Sequence, residues 1–422
     1  MKAGFGEADI TPAVPCSKIG WIKDVKATRI LDPLHAKALV LEESGGALGI
    51  IALDTLSIRW TQVERIRKGI SALGFPGDRV MISTTHNHAG PAVAHEGDVE
   101  RDEAYLDGLV DRSVAAFRQA LDRREEAEVG FGRAVEMGVV LNRRVVYRDG
   151  LIRTHGSLAH PDALFVEGPV DPEVAVMAVR SVSGTMLGAT VSYALHPTYH
   201  GDDECISANW PGVMATRLAA RGVPVTLFLQ GTQGNMSTGD PLRPGHEPDM
   251  ETVGQVMAEA ARRALEGIRF TAHPKLRLSS EVVPLPYRQA TEDEWHGRIR
   301  GAQRFVDPDA YERAIPRLRR KIAERGGVKP AQVQALGIDD HVFVGLPGEV
   351  FVQLGLAIKE RAFPLLAHPV MANGMLGYIP HLDAFKRGGY ETTFTAGVDM
   401  APETGDLLVD AAVRRIGALG GS

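Results

Sequence analysis

Apolar positions along the chain follow two rhythms. Short runs, alternating or continuous, trade places with longer stretches of helical period. Residues 2–10 alternate enough for a strand, and Pro12, Pro15 and Gly20 mark an irregular segment after it. Residues 35–54 predict a hairpin, with apolar runs at 38–41 and 48–53 flanking a Gly45-Gly46 turn. Residues 61–73 predict an amphipathic helix that leads into a buried strand at 79–83. A second helix is expected at 101–120, with Leu106, Leu109, Val110, Val114 and Phe117 on one stripe.

Residues 129–133 read as a short strand. In 138–148, GVVLNRRVVYR, Asn142-Arg143-Arg144 interrupts two β-branched runs; this predicts an exposed hairpin edge, with Arg144 a surface arginine. Another hairpin is predicted over 173–182 and 186–194, around Ser183-Gly184. A helix at 209–220, with Asn209 as its cap, precedes a strand at 223–229 and a glycine-rich loop at 230–240. Further on come a helix at 248–266, a strand at 276–285, charged surface helices over 292–325 and a strand pair within 333–346. The series ends with an apolar helix at 350–358, a strand at 370–375 and a helix at 401–419. Strands alternating with helices predict an α/β fold with a mixed sheet core flanked by helices. With no repeat, low-complexity tract or clear linker, one large domain over residues 1–422 is expected.

Composition narrows the function classes. The net charge is −6 and no basic stripe stands out, so no nucleic-acid partner is expected. No apolar run approaches the roughly 20 residues of a membrane span. No aromatic-rich amphipathic stretch predicts stable docking on a membrane. The N-terminus lacks the apolar run of a signal peptide. Two cysteines, Cys16 and Cys205, make no disulfide framework. A cytoplasmic location is therefore expected.

The candidate chemistry lies at strand ends. MISTTHNHAGP, residues 81–91, places His86 and His88 at i and i+2, where an apolar run opens into a Gly-Pro loop. On a strand these rings would share a face, making a candidate half of a metal site. His196, in Leu195-His196-Pro197, also follows an apolar run; alone it reads as a hydrogen-bonded histidine at a strand end. Glu349 stands before an apolar helix, either as a helix N-terminal charge or as a third metal ligand. Tyr378 and Tyr390 read alone as packed loop aromatics, and the loop around Ser237 suits close approach to a ligand.

Seven segments together resemble the neutral, non-lysosomal ceramidases, zinc-dependent amidases that cleave the N-acyl bond of ceramide. In order they are GFGEADITP, STTHNHAGP, LNRR, ALHPT, GTQGNMSTG, LPGE and ANGMLGYIPHLDAFKRGGYE. The resemblance implies a single catalytic domain of that family, with zinc held by His86, His196, Glu349 and Tyr378. It implies that His88, Arg143, Ser237 and Tyr390 line the reaction centre. Ser237 would attack directly or position water. Three departures stand out. The family's serine loop usually reads Gly-Asp-Val-Ser-Pro-Asn, whereas here Asn235 occupies the acidic position. The ceramidases are exported, and an export signal is not expected here. They also carry a C-terminal β-sandwich domain, which is not expected either.

The first functional expectation is thus a zinc amidohydrolase acting on a small-molecule N-acyl substrate more soluble than ceramide. A zinc esterase or lactonase would use the same oxyanion chemistry. A ceramidase-like binding protein without turnover is the third reading, favoured only by Asn235.

Overall fold

The computed structural model describes residues 1–420 except Ile22, Asp240, Pro241, Pro244, Val306, Asp307 and Ala396. Asp240 of the glycine-rich loop and the last two residues of the expected domain therefore lie outside the described residues.

The alternation at 35–54 is resolved by burial on both faces. In strand His35–Glu43, Leu39 and Leu41 point into one core while Ala38 and Val40 point into another. A strand covered on both sides reads as a continuous apolar run, which is what this stretch shows. It belongs to a nine-stranded mixed sheet. Across that sheet the order is Thr226–Gln230, Met186–Tyr193, Glu173–Ser181, Glu125–Val135, Lys2–Asp9, His35–Glu43, Gly46–Leu53 and Val80–Thr84. The short strand Phe270–Thr271 joins at the side of Glu125–Val135. The two outermost pairings are parallel and the others antiparallel.

A second mixed sheet contains Leu276–Pro286, Val328–Ile338, His341–Leu346 and Leu366–Met371, the last pair parallel. The sheets share a core in which Leu39, Ile50 and Met81 meet Leu336, Phe343 and Val370. Helices Trp60–Ser71 and Glu103–Asp122 contribute Ile66 and Leu109 to one outer core. Helices Asn209–Ala219 and Met250–Leu265 cover another part of the first sheet through Met214 and Met257. Val352–Arg361 and Thr404–Gly417 cover the second sheet through Ile358 and Ala412. The expected mixed core flanked by helices is present, built from two sheets.

Where the sheets meet, Ser83 bridges Ala372 and Ile82 accepts from Asn373 N at 2.8 Å. The buried Arg67 guanidinium ties this seam to the first helix, donating to Val80 O at 2.8 Å and to Asn373 Oδ1 at 3.1 Å.

Three local expectations change. Residues 292–325 form helices Glu292–Trp295 and Pro308–Glu324, and the second turns Arg317 and Lys321 toward a cavity rather than only to bulk water. The helix expected at 209 is preceded by Ala208 with no side-chain cap, and Asn209 adopts φ +61°. The strand expected at 370–375 is Leu366–Met371; it ends before Asn373, whose φ is +62°. Cys16 and Cys205 are both free. No helix among the described residues is long and apolar enough to cross a membrane.

Candidate metal centre and active site

His86 is not on a strand. Val80–Thr84 ends two residues earlier, and His86 takes the left-handed conformation at φ +59°. That conformation costs a β-unbranched residue about 1–3 kcal/mol, so surrounding contacts must hold it. The shared-face expectation for His86 and His88 therefore fails, yet the kink still leaves their ring centroids 5.0 Å apart. His196 arrives from the end of Met186–Tyr193, with its centroid 4.9 Å from His86.

Glu349 and Tyr378 meet by backbone register. Glu349–Val350 pairs in parallel with Tyr378–Ile379, and Glu349 and Tyr378 are direct partners. Glu349 is thus a strand residue, and helix Val352–Arg361 starts only after Phe351.

Hydrogen bonds to carbonyls fix the imidazole protons. His86 Nδ1 lies 2.9 Å from Leu56 O, and His196 Nδ1 lies 3.1 Å from Met236 O. A carbonyl only accepts, so each Nδ1 carries a proton and each Nε2 is the nitrogen left to face the centre. Both Nε2 atoms lie 3.2 Å from the same Glu349 Oε2. Burial drives the His196 pKa down to about 4, favouring the neutral ring. Burial opposes a charged Glu349, but the adjoining imidazoles hold its carboxyl well below the usual range. Two imidazole nitrogens and a carboxylate oxygen in this arrangement fit a cation. Nitrogen and oxygen donors suit zinc, and the Nδ1–carbonyl bonds are the outer support such ligands normally carry.

His88 completes the histidine cluster, since His86, His88 and His196 can each direct a ring nitrogen to one point. Neither ring nitrogen of His88 has a hydrogen-bond partner among the described residues. Burial, then the neighbouring His86 and His196, pushes its pKa well below the usual imidazole value. A residue that sequence reading treated only as a turn marker sets its place. A Cβ on Gly20, at φ +118°, would lie 2.6 Å from His88 Nδ1.

Arg143 lies between Leu141–Asn142 and Arg144–Tyr147. Its Nε donates to Glu391 Oε1 at 2.8 Å and its Nη2 donates to Gly234 O at 2.9 Å and Tyr378 Oη at 3.2 Å. The prediction that Arg144 is a surface arginine is wrong. Arg144 is 0% exposed and donates to Glu391 Oε2 at 2.8 Å, with Glu167 as a further ion-pair partner. Glu391, also 0% exposed, accepts from Thr154 Oγ1 as well at 2.8 Å. Glu391 lies in the GGYE segment, but its partners are remote in sequence and nothing local marks its role.

The serine loop packs against the same centre. Met236–Ser237 pairs with Leu141–Asn142, and Ser237 follows the carbonyl that orients His196. Asn235 is buried; its Oδ1 accepts from Val352 N at 2.9 Å and its Nδ2 donates to Gln353 Oε1 at 2.8 Å. The amide thus fastens the loop to a helix start, a structural use for the departure at this position.

A cavity of about 320 Å³ opens beside the centre. His86, His88, Glu349, Tyr378 and Tyr390 line it; His196, Arg143 and Ser237 do not. Arg143 instead reaches the cavity through its bond to Tyr378. Tyr390 stands 5.6 Å from Tyr378, ring to ring, and burial raises its hydroxyl pKa well above the usual value, keeping it a proton donor. A second group able to direct ligand atoms together, His200, Asp203 and Cys205, is already joined by a 2.6 Å His200–Asp203 contact, with Lys18 beside it.

No protein-family model matches the chain. Over 265 residues, 58% of this chain, it is 24% identical to the neutral ceramidase of Pseudomonas aeruginosa, and this covers 38% of that relative's length. The solved neutral ceramidase from Pseudomonas aeruginosa superposes with a TM-score of 0.73 at 21% identity, covering 99% of this chain and 75% of that one. A ceramidase complexed with C2 gives a TM-score of 0.74 at 18% identity, with the same two coverages. The two-sheet core, its flanking helices and the strand ends that carry the histidines therefore make this chain a neutral ceramidase-like fold over nearly its whole length.

Proposed function

We propose that the chain is a zinc-dependent hydrolase of N-acyl amide bonds. Fold likeness alone does not license an activity. The observation that carries the reading is the convergence of His86 Nε2 and His196 Nε2 on Glu349 Oε2, at 3.2 Å each. His86, His196, Glu349 and Tyr378 would hold the metal. When bound, zinc supplies Lewis-acid polarisation of a carbonyl and lowers the pKa of a coordinated water.

The chain's own residues supply the remaining needs of amide hydrolysis. His88, neutral and unbonded on the cavity wall, can take a proton from attacking water and pass it to the leaving nitrogen. The Tyr390 hydroxyl can donate to oxygen charge as the carbonyl becomes tetrahedral. Arg143 orients the Tyr378 phenol and supplies positive charge behind it. Ser237 positions the reacting water or attacks, from a loop braced by Asn235. Water adds across the C–N bond: the acyl carbon keeps the oxygen and the amine nitrogen takes a proton. The substrate is a small-molecule N-acyl compound, and the proposed location is the cytoplasm.

Elemental analysis of purified protein tests the metal, and an N-acyl amide panel with and without chelator tests the reaction. One zinc per chain, lost in His196→Ala, is expected. Protein that takes up no zinc, or a chelator-insensitive amidase, would overturn the reading.

A further inference from the structure

The cavity has a second chemical feature that a neutral amide does not explain. Arg59, Arg317, Lys321, Arg325 and Lys329 all line it. They arrive from separate elements. Arg59 precedes helix Trp60–Ser71, Lys329 lies in strand Val328–Ile338, and Arg317 and Lys321 lie one turn apart on Pro308–Glu324. Arg325 continues that helical face just past the helix end.

Two of these cations are neutralised. Arg317 pairs with Glu100 at 3.0 Å and Lys321 with Asp399 at 2.7 Å. The others have no carboxylate ion pair among the described residues. Arg325 donates to Tyr287 Oη at 3.0 Å, and Lys329 donates to Met375 O at 2.9 Å. Arg59 Nε is buried without any partner. Burial, then the neighbouring Lys321, lowers the Lys329 pKa to about 7; Asp399 opposes the shift, and Arg325 and Arg59 add to it. Gathering like charges in a partly desolvated cleft is unfavourable unless an anion joins them. The acidic groups on the cavity wall are Glu96 and Glu349. Glu349 belongs to the metal centre, which leaves Glu96, raised to about 7 by burial and the Glu349 charge, as a single wall carboxyl for three cations without ion pairs among the described residues.

We propose that Arg59, Arg325 and Lys329 bind an anionic group of the substrate, a carboxylate or phosphate. This deepens the amidase reading and rests on it. Apolar residues Leu56, Leu318 and Leu376 line the same cavity. The substrate class is therefore an N-acyl compound with a charged terminus, which accounts for cations that a long uncharged lipid would leave unpaired.

Matched substrates test this directly. N-acylated amino acids and N-acyl ethanolamine phosphates are compared with N-acyl ethanolamines of equal acyl length, the two anionic arms separating carboxylate from phosphate. The expected kcat/KM preference for at least one anionic arm is about 10- to 100-fold, the worth of one or two charge-assisted hydrogen bonds. It should shrink at high salt and collapse toward 1 in Arg59→Gln and Lys329→Met. Arg325→Gln, at an exposed position, gives a second measurement if the others fold poorly. Equal kcat/KM for neutral and anionic substrates, or a preference unchanged in folded variants, overturns the inference while leaving the amidase reading intact. Calorimetry on metal-free protein provides a readout independent of turnover. N-acetylglycinate or N-acetylethanolamine phosphate should bind more tightly than N-acetylethanolamine, with the difference lost in Arg59→Gln. Absence of that difference overturns the anion site even if no amide is hydrolysed.

Discussion

Glu391 Oε1 accepts from Arg143 Nε at 2.8 Å, while its other oxygen accepts from Arg144 Nη1 at the same distance. One fully buried carboxylate thus holds two consecutive arginines, one directed toward the metal centre and one into the protein. Removing Arg144 leaves Glu391 half-compensated in a buried setting. Breaking such a pair costs about 3–5 kcal/mol. Arg144→Ala is therefore expected to lower unfolding stability by about that amount, measured by denaturant titration. An unchanged midpoint would show that the network is not structural.

Arg143 is expected to affect chemistry more than metal binding. It bonds the Tyr378 hydroxyl but is not in the set of proposed ligands. Loss of an electrostatic donor at a reaction centre typically costs about 10²–10³ in turnover. Arg143→Ala should fall in that range with zinc content unchanged, and Arg143→Lys should recover part through its charge but not its fork. Loss of zinc in parallel with turnover would instead make Arg143 part of the metal scaffold.

Gly20 offers a steric test of His88. An added Cβ meets His88 Nδ1 at 2.6 Å in a left-handed backbone, whereas Gly74, at φ +87°, has open space around the same position. Gly20→Ala and Gly74→Ala both pay for backbone conformation. Only Gly20→Ala should lower turnover of the folded enzyme by about 10-fold or more, since small misplacements of a reacting group carry large penalties. Similar activity in both variants would mean that the His88 position is not critical.

Acid should loosen the arginine network. Burial alone would raise the Glu391 pKa, but Arg143 and Arg144 override it and bring it to about 2, below the ordinary 4.5. A depressed carboxylate adds stability above its unfolded value and loses it as pH falls through the folded one. Its contribution is thus complete above pH 4.5 and disappears toward pH 2. Wild-type stability measured against pH should decline across this window. Glu391→Gln should start lower at neutral pH and show a shallower decline; an identical slope would assign the acid transition to other groups.

Metal removal should also be visible in folding. Two imidazole nitrogens converge on the Glu349 carboxylate oxygen at 3.2 Å each, the place proposed for the cation. A ligand present at 100 times its dissociation constant stabilises by about 2.7 kcal/mol. Chelation should accordingly lower the unfolding temperature, and added zinc should restore it. A temperature unaffected by either would argue against a metal held by these residues.

Sequence periodicity alone determined much of the element order, because burial of alternating strand residues is a local pattern. The continuous run at 38–41 is legible as a buried strand, but that Leu39 and Leu41 enter one core and Ala38 and Val40 another is seen only in the structure. The histidines at apolar-run ends and the resemblance of the ordered segments were legible too. Tertiary structure decided what each side chain meets. Arg144 looked exposed because its counter-ion, Glu391, lies 247 residues away. Strand register set Glu349 beside Tyr378, and a left-handed turn, not a strand face, aimed His86. The charged stretch at 292–325 looked solvated, since its helical spacing does not reveal that Arg59 and Lys329 line the same cavity. Hydrophobic period is set by neighbours along the chain; charge pairing and convergence depend on topology, which brings remote segments within a few ångströms.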